Sequence, residues 1–230
     1  MTATKAIIGQ GTKILVAPIG RDRIFPEATV FSVSADAAAA ATSLSISFTP
    51  AITRTIFAST DKPLYLNFTQ EDGVQHLVKV TANIEPASNS LTVGALKKAV
   101  KQNATAPFPV ILSKRTSANL TDQDAEADVN VFENSGWKDS ITTLLGNGLE
   151  MNGFYDALDA GWNICNWARY NFAEVYCELQ LKPPSSDYTK GHIFKLFSGV
   201  KIPLEIPSDN IINANISLMS RGPVTIIDPA

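Results

Sequence analysis

Cysteine, histidine and charge are all scarce in this chain, and each scarcity removes a class of function. Two cysteines and two histidines stand among 230 residues. Cys165 and Cys177 form no C-x-x-C pair, and neither His76 nor His192 has a cysteine or carboxylate partner at a metal-binding spacing. No metal site and no disulfide framework are expected, so the thiols read as reduced, structural groups in a protein folded in a reducing cytoplasm. Charged residues make up only 18% and the net charge is −3, which excludes the basic surface of a general nucleic-acid binder. No apolar run approaches the roughly 20 residues of a membrane helix. Met1 to Gly11 holds one lysine and no apolar stretch before a cleavage site, so no secretory signal is expected. Catalytic motifs are missing too: there is no G-x-S-x-G, Walker loop or H-E-x-x-H. Gly9-Gln10-Gly11-Thr12-Lys13 lacks the Gly-Lys-Ser/Thr of a phosphate cradle. Neither enzymatic chemistry nor a cofactor is expected.

What the chain does contain is strand alternation. Ala173, Val175, Cys177, Leu179 and Leu181 fall on one face of a strand, with Glu174, Tyr176, Glu178 and Gln180 on the other. A period of two with one polar side predicts a sheet packed on a core through one face. The pattern returns at Val200, Ile202, Leu204 and Ile206 against Lys201 and Glu205. It returns again at Ile212, Ala214, Ile216 and Leu218 against Asn213, Asn215 and Ser217. With no reacting centre in view, the polar faces and strand edges are left to carry the function.

Upstream lies an internal repeat. Val33-Ser34-Ala35-Asp36 matches Val80-Thr81-Ala82-Asn83, and Thr42 to Ile46 matches Asn89 to Val93, at a constant offset of 47. Five of 14 aligned positions are identical, enough to suggest two copies of a small β unit burying one shared core. The copies are expected to end in strands at Leu64 to Phe68 and Pro109 to Leu112. Ala37 to Ala41 reads as a loop between strands, and Lys97, Lys98 and Lys101 as the wet side of a helical turn starting near Val93. A first strand is expected at Lys13 to Pro18. The predicted organisation is therefore 1–20 as the opening strand and arm of one domain, 21–112 as an inserted β unit holding the repeat, and 113–230 as the remainder of the first domain.

Asp122, Asp124, Glu126 and Asp128 alternate along a polar stretch expected to be a loop. An EF-hand is excluded, because its glycine position holds Ala127. Further strands are expected at Ser140 to Leu145 and Leu149 to Gly153. Asp156 then reads as the cap of one short helix whose apolar positions include Ala157, Ala160, Ile164 and Ala168, with Trp162 and Trp167 as packing residues.

Two stretches together resemble the phage major tail tube proteins. Ile8-Gly9-Gln10-Gly11-Thr12-Lys13-Ile14-Leu15-Val16 resembles their opening strand. The run from Asp128-Val129-Asn130-Val131-Phe132 through Gly136-Trp137-Lys138-Asp139-Ser140 to Leu149-Glu150-Met151-Asn152-Gly153 resembles their central strands. The helix follows, then Glu178 to Leu181, the loop Pro183 to Lys190, Phe194 to Val200, and a closing segment from Ile212 to Thr225. The likeness covers 8–18 and 113–226, and 21–112 departs from it.

The resemblance implies a mainly β fold, a β-sandwich or barrel with one short helix plus the small β repeat insertion. It implies hexameric rings that stack into a hollow tube in the virion, after synthesis in the host cytoplasm. That tube would conduct DNA during ejection without gripping it, as an acidic surface permits. The implied partners are other copies of the chain and the tape-measure, tail-terminator, baseplate and, in a contractile tail, sheath proteins, with DNA passing transiently and no membrane insertion. Glu174, Glu178, Gln180, Asn213, Asn215 and Ser217 become candidates for the lumen face. Asp122, Asp124, Glu126 and Asp128 become candidates for ring-to-ring contact with Lys13, Lys114 or Arg115. The alternative from another class is a capsid or tail decoration or adhesion module with immunoglobulin-like repeats.

Overall fold

A computed structural model of the chain describes residues 12–20, 23–122, 125–129, 139–144, 147–183, 185–205 and 212–230. The fold is mainly β with one short helix, as the alternation predicts, and its strands divide into two large sheets.

The repeat region builds the six-stranded sheet. Its strands are β2 (Thr29–Val33), β3 (Ser43–Thr49), β4 (Leu64–Thr69), β5 (Gln75–Val80), β6 (Ser90–Thr92) and β7 (Thr105–Phe108), in the order β5-β4-β7-β2-β3-β6. The ends of this order meet. Val80 bridges Val93, the Thr81 amide donates to the Thr92 carbonyl at 3.0 Å, and the Gly94 amide donates to the Lys79 carbonyl at 2.8 Å. The sheet is thus a closed barrel.

Its symmetry follows the repeat. Leu44 pairs with Leu91, its own counterpart 47 residues on, while Ser43 pairs with Thr92 and Ser45 with Ser90. A pseudo-twofold axis passes between the two leucines. Accordingly β2 pairs with β7 of the other copy, and β5 pairs with β4. Neither copy closes by itself, so these are interleaved halves and not two immunoglobulin-like modules. Val33, Val80, Leu44, Leu91, Ile46 and Val93 all point into the one core.

The second sheet has eight strands. These are β1 (Lys13–Pro18), β8 (Val110–Ile111), β9 (Arg115–Asp122), β12 (Asn147–Gly153), β13 (Glu174–Gln180), β14 (Ile193–Lys201), β17 (Ile216–Ser220) and β18 (Thr225–Ile227). The order is β8-β1-β13-β14-β17-β12-β9, with β18 also on β14. Two small pairs stand apart: β10 (Ala125–Val129) with β11 (Asp139–Leu144), and β15 (Leu204–Glu205) with β16 (Asn213–Ala214). Helix α1 (Ala160–Tyr170) packs on β1, β13, β14 and β8, and touches β4 of the barrel. Gly161 allows that approach: a Cβ there would stand 2.8 Å from the Leu112 backbone. Trp162 is buried, and the Trp167 indole N–H donates to the Asp61 carbonyl at 2.7 Å, so both tryptophans serve packing.

Several local expectations are corrected. Val110–Ile111 pairs with β1, and β7 is the strand that corresponds to β4. The chain around Lys97 bends without forming a helical turn, because the Leu96 and Val100 amides bond across to Ala41 and Ala37. The alternation expected from Val200 is not one strand as far as Glu205, and Ile206 lies outside the described residues. It breaks at Ile202-Pro203, where proline has no N–H for a ladder. The helix begins one turn later than expected, with Asp159 as its N-cap and Asp156 capping only the turn at Leu158.

Candidate functional site

The eight-stranded sheet has two unlike faces. On one, Val16, Cys177 and Leu196 lie side by side across three strands, as do Val200, Leu218, Leu149 and Leu120 across four. This face carries most of the buried residues of these strands and receives α1. Cys165 and Cys177 are both free and buried, and burial pushes the Cys165 thiol up to about 12.

The opposite face is polar, and register assembles it. Lys201 lies across from Ser217, Ser217 from Glu150, and Glu150 from Asn119. Lys201, Glu150 and Asn119 are exposed and Ser217 is half-buried. One strand position along, the Asn152 amide donates to the Ser117 hydroxyl at 2.8 Å. Four strands therefore present a continuous wet row. Of the sequence-derived candidates, Ser217 lies in it. Asn215 is half-buried next to β17, and Asn213 pairs with Glu205 and bridges Phe154.

Toward β13 the same face is covered by the chain itself. Phe25 stacks on Phe197 with centroids 5.2 Å apart and leans on Tyr176 at 5.7 Å. Beneath it Glu178 is only 7% exposed. Its carboxylate accepts from the Tyr176 hydroxyl and from Gln180 Nε2 at 2.6 Å, and Lys195 Nζ stands 3.8 Å away. Glu174 is held by Arg23 at 2.5 Å and by Arg221 at 3.7 Å. Burial and the Glu178 contact together push the Tyr176 hydroxyl well above its ordinary pKa. Tyr176 and Glu178 alternate as a wet face would, yet residues 23–27 roof them over. A strap from 150 residues away leaves no trace in local periodicity.

The edge strand β9 continues into an arm. It pairs with β12 from Arg115–Gly153 to Asp122–Asn147, and β10 pairs with β11 beyond. The acidic stretch is accordingly strand and not loop at Asp122, Glu126 and Asp128, while Asp124 lies outside the described residues. At the end of β9 away from the arm the Arg115 guanidinium donates to the carbonyls of Ser113 at 3.1 Å, Phe154 at 2.6 Å, and Ala214. Burial lowers its pKa. Arg115 is thus committed within its own chain, whereas Lys13 and Lys114 are exposed. Asp159 sits nearby and accepts from the amides of Ser113 at 3.0 Å and Gly161 at 2.9 Å. Burial lifts its carboxyl to about 6 despite those bonds. Among the described residues no group of His, Cys, Asp and Glu is arranged to hold a metal ion.

No protein-family profile matches the sequence, and no curated protein matches it. Two solved structures are similar to part of the chain. One is from the tail of an empty gene transfer agent particle refined with C6 helical symmetry, and the other from the virion of a native gene transfer agent particle. Each is 12% identical with a TM-score of 0.38 and covers 51% of this chain. The shares of the matched chains are 84% and 87%.

Proposed function

We propose that the chain is a structural virion protein that assembles into stacked, hexameric rings forming the tail tube through which phage DNA is ejected. The observation that carries this reading is the asymmetry of the eight-stranded sheet. One face is covered by α1, the other presents a polar row across four strands, and among the described residues the sheet ends on an eight-residue edge, β9, with an arm beyond it. A free edge of that length is a template for pairing with another chain. A strand from a neighbour would satisfy it and extend the polar row around a ring. The resemblance of 8–18 and 113–226 to tail tube proteins supports the same reading.

In this arrangement the lumen is lined by Asn119, Glu150, Lys201 and Ser217. One carboxylate and one ammonium among neutral groups give DNA little to grip, since retention scales with the phosphates neutralised. Glu174, Glu178 and Gln180 stabilise the wall beneath the Phe25 strap. The partners are other copies of the chain, then tape-measure, terminator and baseplate proteins at the tube's ends and, in a contractile tail, sheath proteins on its surface. Electron microscopy of the purified protein over a concentration series tests the reading. Hollow rings or tubes are the expected outcome. A discrete monomer or small oligomer without a channel at every concentration overturns it.

A further inference from the structure

A groove lies where the barrel meets the eight-stranded sheet, just beyond the Pro18 end of β1. It encloses about 490 Å³. Its apolar lining includes Ile24, Phe25, Phe57 and Phe108. Phe57 is 42% exposed and Ile24 50%, so both offer apolar surface that the described residues leave open. The Phe57 ring lies against Gly20, where a Cβ would stand 2.8 Å from it, and this lack of a side chain shapes the groove floor. Two carboxylates and one guanidinium complete the lining. Glu27 is held by the Thr53 hydroxyl and amide, which keep its carboxyl below the usual range, and Glu85 accepts from the Thr55 hydroxyl. Arg54 stands 3.9 Å from Glu27. The groove is therefore apolar with a net acidic rim.

The opposite end of the same strand bears the complementary sequence. Residues 1–11 precede β1 and lie outside the described residues. They contain Ala6-Ile7-Ile8 and a single charged side chain, Lys5. A segment with this apolar run and one cation suits the groove in both polarity and charge. Position then decides whose segment it is. β1 spans six residues, about 20 Å at strand rise, and the segment leaves from Lys13 while the groove opens past Pro18. Both neighbours of β1, β8 and β13, are in place, so its own ladder offers no direct return path. A second copy placed head to tail delivers its segment to the groove without reversal.

We propose that the groove is an assembly site that receives the Ala6-Ile7-Ile8 segment of a second copy of this chain. The contact is heterologous: it joins unlike surfaces and so propagates along an axis. It requires head-to-tail association and not the tube as such.

The test uses the full chain carrying Ile7→Glu and Ile8→Glu, with a fluorescent peptide of residues 2–12 of the natural sequence added in trans. Saturable binding by anisotropy is expected, weakened at least about tenfold by a further Phe57→Glu and, separately, by Ile24→Glu. Both positions are exposed enough for the variants to fold. Absence of saturable binding, or binding indifferent to both groove substitutions, overturns the proposal. The unsubstituted chain at nanomolar dilution supplies the second arm. Peptide binding equal to that of the chain carrying Ile7→Glu and Ile8→Glu supports an empty groove awaiting a neighbour. Binding blocked at every dilution places the segment in its own groove and overturns the assignment to a second copy. Hollow tubes without peptide binding would retire this contact and leave the tube reading intact; peptide binding without hollow particles would do the reverse.

Discussion

The barrel and the eight-stranded sheet solve the problem of strand edges in opposite ways. In the barrel every strand has two neighbours, because β5 and β6 meet through Val80 and Val93. Among the described residues the sheet stays open and ends on β9, with an arm whose two strands, β10 and β11, pair with each other. A closed circuit of strands leaves no strand without a neighbour on either side, whereas an open edge presents a row of backbone groups. The difference bears on the proposed assembly: the repeat unit pairs its own strands around a closed circuit, whereas the sheet, among the described residues, ends on an open strand. The groove between them belongs to neither, which is why it can serve a different contact from the edge.

The largest expected effect probes the barrel's symmetry. Leu44 and Leu91 are both fully buried on the pseudo-twofold axis, at 0% and 1% exposure. Leu44→Ala and Leu91→Ala should each cost about 2–5 kcal/mol, the usual range for a leucine cavity. If the halves are equivalent in energy as well as in pairing, the two losses agree within about 1 kcal/mol. Urea denaturation of the two variants measures this, and a clearly larger gap would show the symmetry to be geometric only.

Next is the seam at α1. The Asp159 carboxyl is held up at about 6 against an ordinary 3.8. A raised acid favours the folded state fully below pH 4, and this contribution fades as pH climbs through 6. Asp159→Asn keeps a capping oxygen and removes the titration. The substituted chain should therefore lack about 2–3 kcal/mol of the pH dependence that the natural chain shows between pH 4 and 7. Glu27 and Asp36 work in the opposite sense, since their carboxyls are held low and their contributions fade as pH falls. Only the difference between the two chains reports on Asp159. Denaturation at pH 4.5 and pH 7.5 gives it, and parallel pH profiles would show that burial does not penalise this carboxylate.

A third experiment blunts the open edge. Asn119→Lys places an ammonium at an exposed position of β9 and should leave stability within about 0.5 kcal/mol. It should raise the concentration needed for assembly about tenfold or more, as followed by light scattering. Unchanged assembly would mean that the free edge is not where copies meet.

The smallest effect is a gain. Phe172 follows the helix at φ +51° and is 92% exposed, so it bears a left-handed backbone with little burial in return. Phe172→Gly should stabilise the chain by about 1 kcal/mol, read from thermal denaturation. A loss instead would reveal packing by this ring within the chain.

Much of this molecule was legible in its order of residues. Period-two alternation located β13 and β17, the opening strand β1 and the repeat-ending strand β4 fell where strands were expected, and the spacing of small and apolar residues located α1. Similarity at an offset of 47 announced a shared core before any pairing was known. These features are written locally, or as likeness between two stretches, and both survive in a one-dimensional reading. Tertiary structure alone decided that the repeat halves interleave, that β7 and not Pro109–Leu112 completes the second half, and that Arg115 binds carbonyls of its own chain. It also decided which polar side chains stay wet. Glu178 and Glu150 have the same chemistry, yet one lies beneath Phe25 and the other stands exposed between Asn119 and Ser217. The register of antiparallel strands and the path of a remote strap set that difference. Both depend on contacts between residues far apart in the chain, where alternation carries no information.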